Sequence, residues 1–359
     1  MSWLLAFVGF AALILIHEFG HFAAAKLTGM RVERFSLFFP PTIARVRRGE
    51  TEYAIGLVPL GGYVKITGMN PEEELPAEVR SRAYFAQPVW KRVVVILAGP
   101  AMNLLLAFVL MLAFFWFLGP REPARTVAAV ERDYPAAREL RPGDEIVAVD
   151  GRRGGAAELA EQLQTHRCPG ALRPGCRAVT PARVTVRRGE RTFEIALRPL
   201  YDAQARRMRL GFRFSPDGPR RSLPFADSVK TAASNFWFVA RETALLPLRL
   251  LDAEKRREIS GVVGGYEVTR RTIVVDAADA IPIIAVISLS LAIVNLFPFL
   301  PLDGGHIFWA LVEKVRRKPV RAAVMERSGA IGFALVLMLF LIGLTNDIGR
   351  LTNEGFQVR

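Results

Sequence analysis

The run His17-Glu18-Phe19-Gly20-His21 lies inside the first apolar stretch of the chain, with Trp3–Ile16 before it and Phe22-Ala23-Ala24-Ala25 after it. An ionisable side chain at membrane depth costs roughly 2.5 kcal/mol or more on insertion scales. Three such groups in one short run are too expensive to be idle. On a helix, positions i and i+4 share a face, so His17 and His21 can grip one Zn2+ while Glu18 lies beside its open coordination position. That is the chemistry of a metal hydrolase.

Two histidines leave a zinc site short of its third protein ligand. Far along the chain, Asn295-Leu296-Phe297-Pro298-Phe299-Leu300-Pro301-Leu302-Asp303-Gly304-Gly305-His306 supplies another carboxylate within an apolar run. Two prolines and a glycine pair cannot sustain a regular helix, so the backbone is expected to unwind near Asp303. Irregular backbone at membrane depth is tolerated where it lines a protein cavity. The missing ligand and the unpaired carboxylate answer each other if the two helices meet. The plainer alternative for Asp303 is a cap or turn.

The elements that must position these residues are apolar. The chain has 359 residues, 51% of them hydrophobic, and four stretches read as membrane spans. They cover about Trp3–Ala25, Val93–Leu118, Ile281–Leu300 (unwinding by Asp303) and Gly329–Leu344. The last is short against the roughly 17–25 residues a spanning helix needs. The first run could be a cleaved signal peptide ending at Ala23-Ala24-Ala25, but it lacks a basic leading segment and His17, Glu18 and His21 interrupt it.

Lys26, Arg31, Arg34, Arg45, Arg47, Arg48 and Lys65 follow the first span, and Lys314, Arg316, Arg317, Lys318, Arg321 and Arg327 separate the third from the fourth. The positive-inside rule makes both segments cytoplasmic, which puts both termini and residues 119–280 outside the membrane. The formal charge of +14 comes without a basic helix or an aromatic-basic platform, which argues against nucleic acid. Attraction to anionic headgroups of the lipid bilayer accounts for the cytoplasmic share.

Between the first two spans, Arg31–Arg48 and Glu52–Thr67 alternate as a β-hairpin or small sheet. An edge strand there can pair with an extended substrate, with Tyr63 and Val64 placed to hold it. A polar, acidic loop follows over Asn70–Arg82. The second span holds Gly99-Pro100-Ala101-Met102-Asn103, expected as a helix irregularity carrying an intramembrane amide. Asn103 either bonds across helices or contacts a substrate backbone or a metal-bound water.

Residues 119–280 begin as an α+β module of roughly 75 residues, with Arg141-Pro142-Gly143-Asp144-Glu145-Ile146-Val147-Ala148-Val149-Asp150-Gly151 as turn, strand and turn. Cys168 and Cys176 suit a disulfide in an oxidising compartment, or remain free thiols. With His166 they also admit a weakly supported second metal site. Ser222–Leu250 reads as an amphipathic helix with Trp237 at an interface, or as a soluble packing helix. The expected domains are a membrane half over 1–118, a module over 122–200, an amphipathic and linker region over 201–280, and a second membrane half over 281–359.

Taken together, HEFGH, PLGGYVKITG, AYFAQPVWKRVVVILAGPAMN and NLFPFLPLDGGH resemble the site-2 protease family of intramembrane zinc metalloproteases over most of the chain. The segment RPGDEIVAVDG looks like part of a PDZ domain. The layout is most similar to the single-PDZ members of the bacterial branch that cleaves anti-sigma factors and remnant signal peptides. The resemblance implies a polytopic helical membrane protein of four spans, with a cytoplasmic-side hairpin sheet and an extracytoplasmic PDZ-like domain.

It further implies His17, His21 and Asp303 as zinc ligands, Glu18 as catalytic acid/base, and Asn103 and Asn295 in substrate handling. The implied partners are a single-pass membrane substrate and an upstream site-1-type protease that trims it first. His306 either assists or is a plain interfacial histidine. Two motifs depart from the family pattern. Phe35-Ser36-Leu37-Phe38-Phe39-Pro40-Pro41 replaces a Gly-rich FSxGFGP stretch, and Ser260-Gly261-Val262 replaces Ser-Gly-Pro. The rival readings are a metal or proton transporter using the same groups, which lacks repeat symmetry, and a PDZ-bearing scaffold without catalysis.

Overall fold

The computed structural model describes residues 1–69, 73–170, 172–318 and 320–354. Residues 70–72 of the expected acidic loop lie outside these. Two compact units emerge, one of Met1–Phe115 with Pro224–Arg359 and one of Trp116–Leu223.

The first unit opens with α1 (Ser2–Leu27), β1 (Val32–Arg48), β2 (Thr51–Ile66), a single turn α2 (Ala77–Arg80) and α3 (Val89–Ala113). The second contains β3 (Val127–Val130), β4 (Glu145–Val149), β5 (Arg152–Arg153), α4 (Ala156–Leu163), β6 (Ala182–Arg188), β7 (Arg191–Leu197), β8 (Leu200–Asp202), β9 (Arg207–Arg209) and β10 (Phe212–Phe214). The chain returns to the first unit through α5 (Phe225–Ala244), α6 (Leu246–Arg249), α7 (Ala253–Glu258), α8 (Val262–Val275), α9 (Ala280–Asn295), α10 (Asp303–Arg316) and α11 (Ala322–Gly349).

Four helices among the described residues are long and apolar enough to cross a membrane: Ser2–Leu27, Val89–Leu118, Ala277–Asn295 and Ala323–Thr352. The fourth is much longer than the expected Gly329–Leu344, because Val324 to Ser328 and Thr345 to Gly349 continue the helix beyond the apolar stretch. Helix α1 buries Ala6, Leu13, His17, Gly20, His21 and Ala25, a spacing of three, four and seven that marks one face. Trp3, Leu4, Leu5, Val8 and Phe19 are exposed on the rest of the cylinder, the side a bilayer would cover.

The hairpin departs from a simple two-stranded ribbon. Val32–Leu37 pairs with Gly62–Ile66 and also lies against Glu52–Ile55, whose other side meets Ala44–Arg48. The sheet order is therefore 44–48, 51–55, 32–37, 62–66. Tyr53 is enclosed on both sides, so the outer edges are 44–48 and Gly62–Ile66, and no further strand covers the Gly62–Ile66 edge among the described residues. Glu50, in the hairpin turn, accepts from Lys26 at 2.8 Å and from Arg82 at 2.7 and 2.8 Å. Those cations, Arg82 foremost, hold its carboxyl down at about 2. At the opposite end of the sheet, the Phe38 ring packs on Phe7 at 5.8 Å. The sheet thus runs alongside α1 from Lys26 to Phe7.

Helix α3 continues unbroken through Gly99-Pro100, where an irregularity was expected. Proline in a spanning helix is tolerated when neighbours absorb the lost hydrogen bond, and Gly99 and Pro100 are both buried against protein. On α11, the carboxylate of Asp347, fully buried, accepts from Ser260 Oγ at 3.0 Å and from the amides of Gly261 and Gly264 at 3.0 and 2.7 Å. It caps α8 from another helix, satisfying donors that a helix start leaves orphaned.

The inserted unit has its own core of Val127, Ile146, Val149, Leu159, Val184, Val186 and Leu210. Its main sheet runs β5-β4-β6-β7. It extends past the expected end at 200, because β10 pairs with β3 and so brings residues 212–214 back to the start of the unit. Cys168 and Cys176 are joined in a disulfide. That removes the second metal site, and the His166 ring is engaged instead by Asp150 at 2.8 Å and Thr180 Oγ1 at 2.9 Å.

Candidate metal centre

Helix α1 places the two histidines one turn apart, and α10 delivers Asp303 to them. The Nε2 atoms of His17 and His21 lie 3.1 and 3.3 Å from Asp303 Oδ2 and 3.3 Å from each other. All three residues are part of one potential metal-binding group, the only one of its kind among the described residues.

The tautomer of His21 follows from one neighbour. His21 Nδ1 is 2.9 Å from the backbone carbonyl of Val95, which can only accept, so Nδ1 carries the proton. In neutral imidazole Nε2 is then a lone pair. It points at a second imidazole nitrogen and at a carboxylate oxygen. With His17 in the same tautomer, three acceptors face one another and repel unless a cation sits among them. Zinc bonds of about 2.0–2.1 Å in tetrahedral geometry put neighbouring ligand atoms about 3.3 Å apart. The observed 3.1–3.3 Å spacing and the two-imidazole, one-carboxylate donor set both fit that ion.

Close helix contact makes the spacing attainable. A Cβ on Gly99 would run into the His21 ring, and one on Gly20 would lie 2.9 Å from Gly99 Cα. Bare backbone at both positions lets α1 and α3 approach closely enough for the Val95 contact. On the other side, α9 ends at Asn295, the chain turns over 296–302, and Asp303 opens α10. The unwinding therefore precedes Asp303, which lies in a first helical turn. Within the bend, Leu302 N–H donates to Phe299 O at 2.9 Å and Gly305 N–H to Leu302 O at 3.0 Å. A Cβ on Gly304 would strike the carbonyls of Leu296 and Phe297, so the glycines of the LDGG run permit α10 to start tightly under the turn.

The remaining site residues separate into near and far. Glu18 is half-buried and in electrostatic reach of His17, His21 and Asp303. Its Cγ lies 2.8 Å from where a Gly62 Cβ would stand, which puts the carboxylate stem against the free strand edge. Tyr63 and Val64 follow on that strand, with the Tyr63 ring stacked on Phe39 at 6.1 Å and its hydroxyl accepting from Arg34 at 3.1 Å. Asn103 is fully buried, and neither side-chain amide atom has a hydrogen-bond partner. Its backbone carbonyl accepts from Ser288 Oγ at 2.9 Å, so the α3–α9 bond does not use its amide. Asn295 is half-buried at the end of α9, and His306 lies one turn beyond Asp303.

Sequence reasoning missed Arg92 and Glu313. The Arg92 guanidinium, 8% exposed, donates to both Glu313 oxygens at 3.0 and 2.8 Å, joining α3 to α10. The available signal was a charged residue in the first turn of a spanning helix.

Among known protein families, Peptidase family M50 matches residues 5–339. The chain belongs to peptidase family M50. This M50 peptidase is 28% identical over 384 residues to "Metalloprotease MmpA" of Caulobacter vibrioides, covering 95% of the chain and 93% of that protein. It is also 28% identical over 368 residues to a Nostoc protein named "Putative zinc metalloprotease", covering 99% and 98%. A crystal structure titled as the PDZ domain of the SdrC-like protein of Listeria monocytogenes matches at 18% identity, with a TM-score of 0.22, over 26% of the chain and 90% of that structure. As an M50 peptidase the chain is a membrane metalloprotease of the site-2 type, with four helices fit to span a bilayer.

Proposed function

We propose that this protein is an intramembrane zinc endopeptidase that cuts single-pass membrane proteins within the bilayer. The substrates of this reading are anti-sigma factors or remnant signal peptides already trimmed by another protease. One observation carries it: the Nε2 atoms of His17 and His21 and Oδ2 of Asp303 converge at 3.1–3.3 Å beside Glu18 and an unpaired strand edge.

In this reading His17, His21 and Asp303 hold Zn2+, as the "zinc metalloprotease" names of the relatives suggest. A bound zinc ion supplies Lewis acidity, acidifying a water and polarising a carbonyl. The protein's own groups do the rest. Glu18 takes a proton from the attacking water and hands it to the leaving amine. Val95 holds His21 in the tautomer that leaves Nε2 free. A spanning helix hides its amides, so the substrate must unwind, and the outer edge of Gly62–Ile66 offers backbone partners that keep it extended past Glu18. Tyr63 and Val64 border that path. Asn103, with its unpartnered amide, and Asn295 bind the substrate backbone.

In this reading the hairpin and the zinc site lie toward the cytoplasm, with both termini and the inserted, PDZ-like unit outside, which the excess of Lys and Arg in the short loops supports. There the unit screens out substrates with bulky outer domains. Its ends pair with each other at Arg121 and Arg220, so residues 122–219 can be excised and bridged. Equal cleavage of full-length and trimmed substrate by both proteins would remove the screening role.

The decisive test of the chemistry is Glu18→Gln. Cleavage of a reporter transmembrane substrate should fall by about 10^3-fold or more, at the upper end of general acid–base effects, with stoichiometric zinc retained. Cleavage at an undiminished rate would sink the assignment.

A further inference from the structure

We infer that Arg92 and Glu313 form a positioning bridge that sets where Asp303 stands relative to the histidine pair; this rests on reading those three residues as metal ligands.

The bridge completes a circuit of three polar contacts around three helices. His21 Nδ1–H reaches Val95 O from α1 to α3. Arg92 grips Glu313 from α3 to α10. Asp303 returns from α10 to His17 and His21 on α1. Arg92 and Val95 are three residues apart, so they share a face of α3. One face of one helix therefore orients a ligand directly and fastens the helix carrying another ligand.

Glu313 lies ten residues beyond Asp303, about 15 Å along the axis of α10. Arg92 consequently touches no ligand and acts through the helix. Two parallel charge-assisted bonds fix direction as well as distance, which a single contact would not. The guanidinium also lies over the Tyr84 ring at 5.8 Å, and Tyr84 belongs to the cluster of Ala25, Met30, Val32, Ile66, Val95 and Ile96 that backs the hairpin and α1. The anchor for α10 is thus set in the same packed layer that carries the histidines. Before Asp303, the chain is an irregular turn over 296–302, which leaves the direction of α10 to contacts such as this one.

Groups that orient metal ligands without touching the metal typically change metal affinity by about 10–100-fold when removed. The test uses the full-length protein in nanodiscs, with zinc affinity measured by competition against a chromogenic chelator and folding followed by thermal melting. Arg92→Met and Glu313→Gln should each weaken zinc binding by about 10-fold or more, and amide exchange around 303–306 should quicken without zinc. The exchanged pair R92E/E313R should recover most of the loss. Glu313→Gln is isosteric, so it carries the test if Arg92→Met does not fold.

Affinities within about twofold of wild type in Glu313→Gln would overturn the inference. A double variant no better than the singles would overturn it too, by assigning the loss to general damage. Asp303→Asn separates the two readings. Wild-type affinity in that variant removes Asp303 as a ligand, whereas a loss there with none in Glu313→Gln removes only the bridge.

Discussion

The inserted unit and the membrane unit treat buried polar groups in opposite ways. In the inserted unit, Asp144 is 2% exposed yet receives Arg188 at 2.7 and 2.8 Å and the Arg141 amide at 2.7 Å. His166 has both ring nitrogens engaged, as described above. In the membrane unit, His17 Nδ1, Asp303 Oδ2 and both amide atoms of Asn103 have no hydrogen-bond partner. The contrast is not between water and lipid as such, because Asp347 is fully buried in the membrane unit and takes donors from three groups. Most of the unmet atoms belong to α1, α3 and α10, with Glu52 Oε1 in the hairpin and Thr272 Oγ1 on α8 as the exceptions, while Asp144, His166 and Asp347 are satisfied in both units. Unsatisfied buried polarity is costly, and its concentration around one site marks where something other than the chain is meant to bind.

The comparison can be broken by perturbing each side. The largest expected effect is at Gly99. Gly99→Ala adds one methyl group where the His21 ring stands, so α1 and α3 must separate or the imidazole must tilt. Since a displacement of about 1 Å at reacting groups can cost about 100-fold, peptidase activity should fall at least that far, together with zinc affinity. Unchanged zinc binding in this variant would show that the close α1–α3 approach is not what aims His21.

A smaller effect is expected at Asp144. The Arg188 guanidinium, aided by the Arg141 amide, holds the Asp144 carboxyl below its ordinary range. A carboxylate with a depressed native pKa stabilises the fold fully above its unfolded pKa of about 4, and that stabilisation is lost as pH falls through the native value. Asp144→Asn should therefore destabilise the inserted unit by roughly 2 kcal/mol at pH 7, and leave zinc affinity untouched. Melting temperatures of wild type and variant should converge as pH drops below about 4. Parallel curves down to pH 3 would show that the charge contributes nothing.

Much of this was legible in the chain because the informative patterns are local. His17 and His21 share a helical face by spacing alone, and the hairpin and the RPGD turn announce themselves through alternation and glycine. Asp303 needed one further step, matching a missing ligand to an unpaired carboxylate. What stayed hidden was set by long-range pairing. Arg92 and Glu313 are 221 positions apart, and each looked like an ordinary charge at the end of an apolar run. The return of β10 to β3 moved the end of the inserted unit past 200, since three-residue strands carry almost no periodic signal. The double pairing of Val32–Leu37 could not be read from alternation, which reports which face a residue takes and not how many neighbours a strand has. Nor did Ser260-Gly261-Val262 reveal that its Ser260 hydroxyl and Gly261 amide are held by Asp347, more than eighty residues later.

If the unpaired edge of Gly62–Ile66 holds substrate as proposed, it has a consequence for selectivity. A ladder of amides and carbonyls recognises main chain, and main chain is the same in every guest. Such a rim is blind to the letters of whatever lies along it. Discrimination then falls to the guest's own reluctance to uncoil: a segment loosened by glycine, proline or β-branched residues surrenders its helix cheaply, while a leucine-rich one resists. The rim would thus sort membrane proteins by how readily they melt.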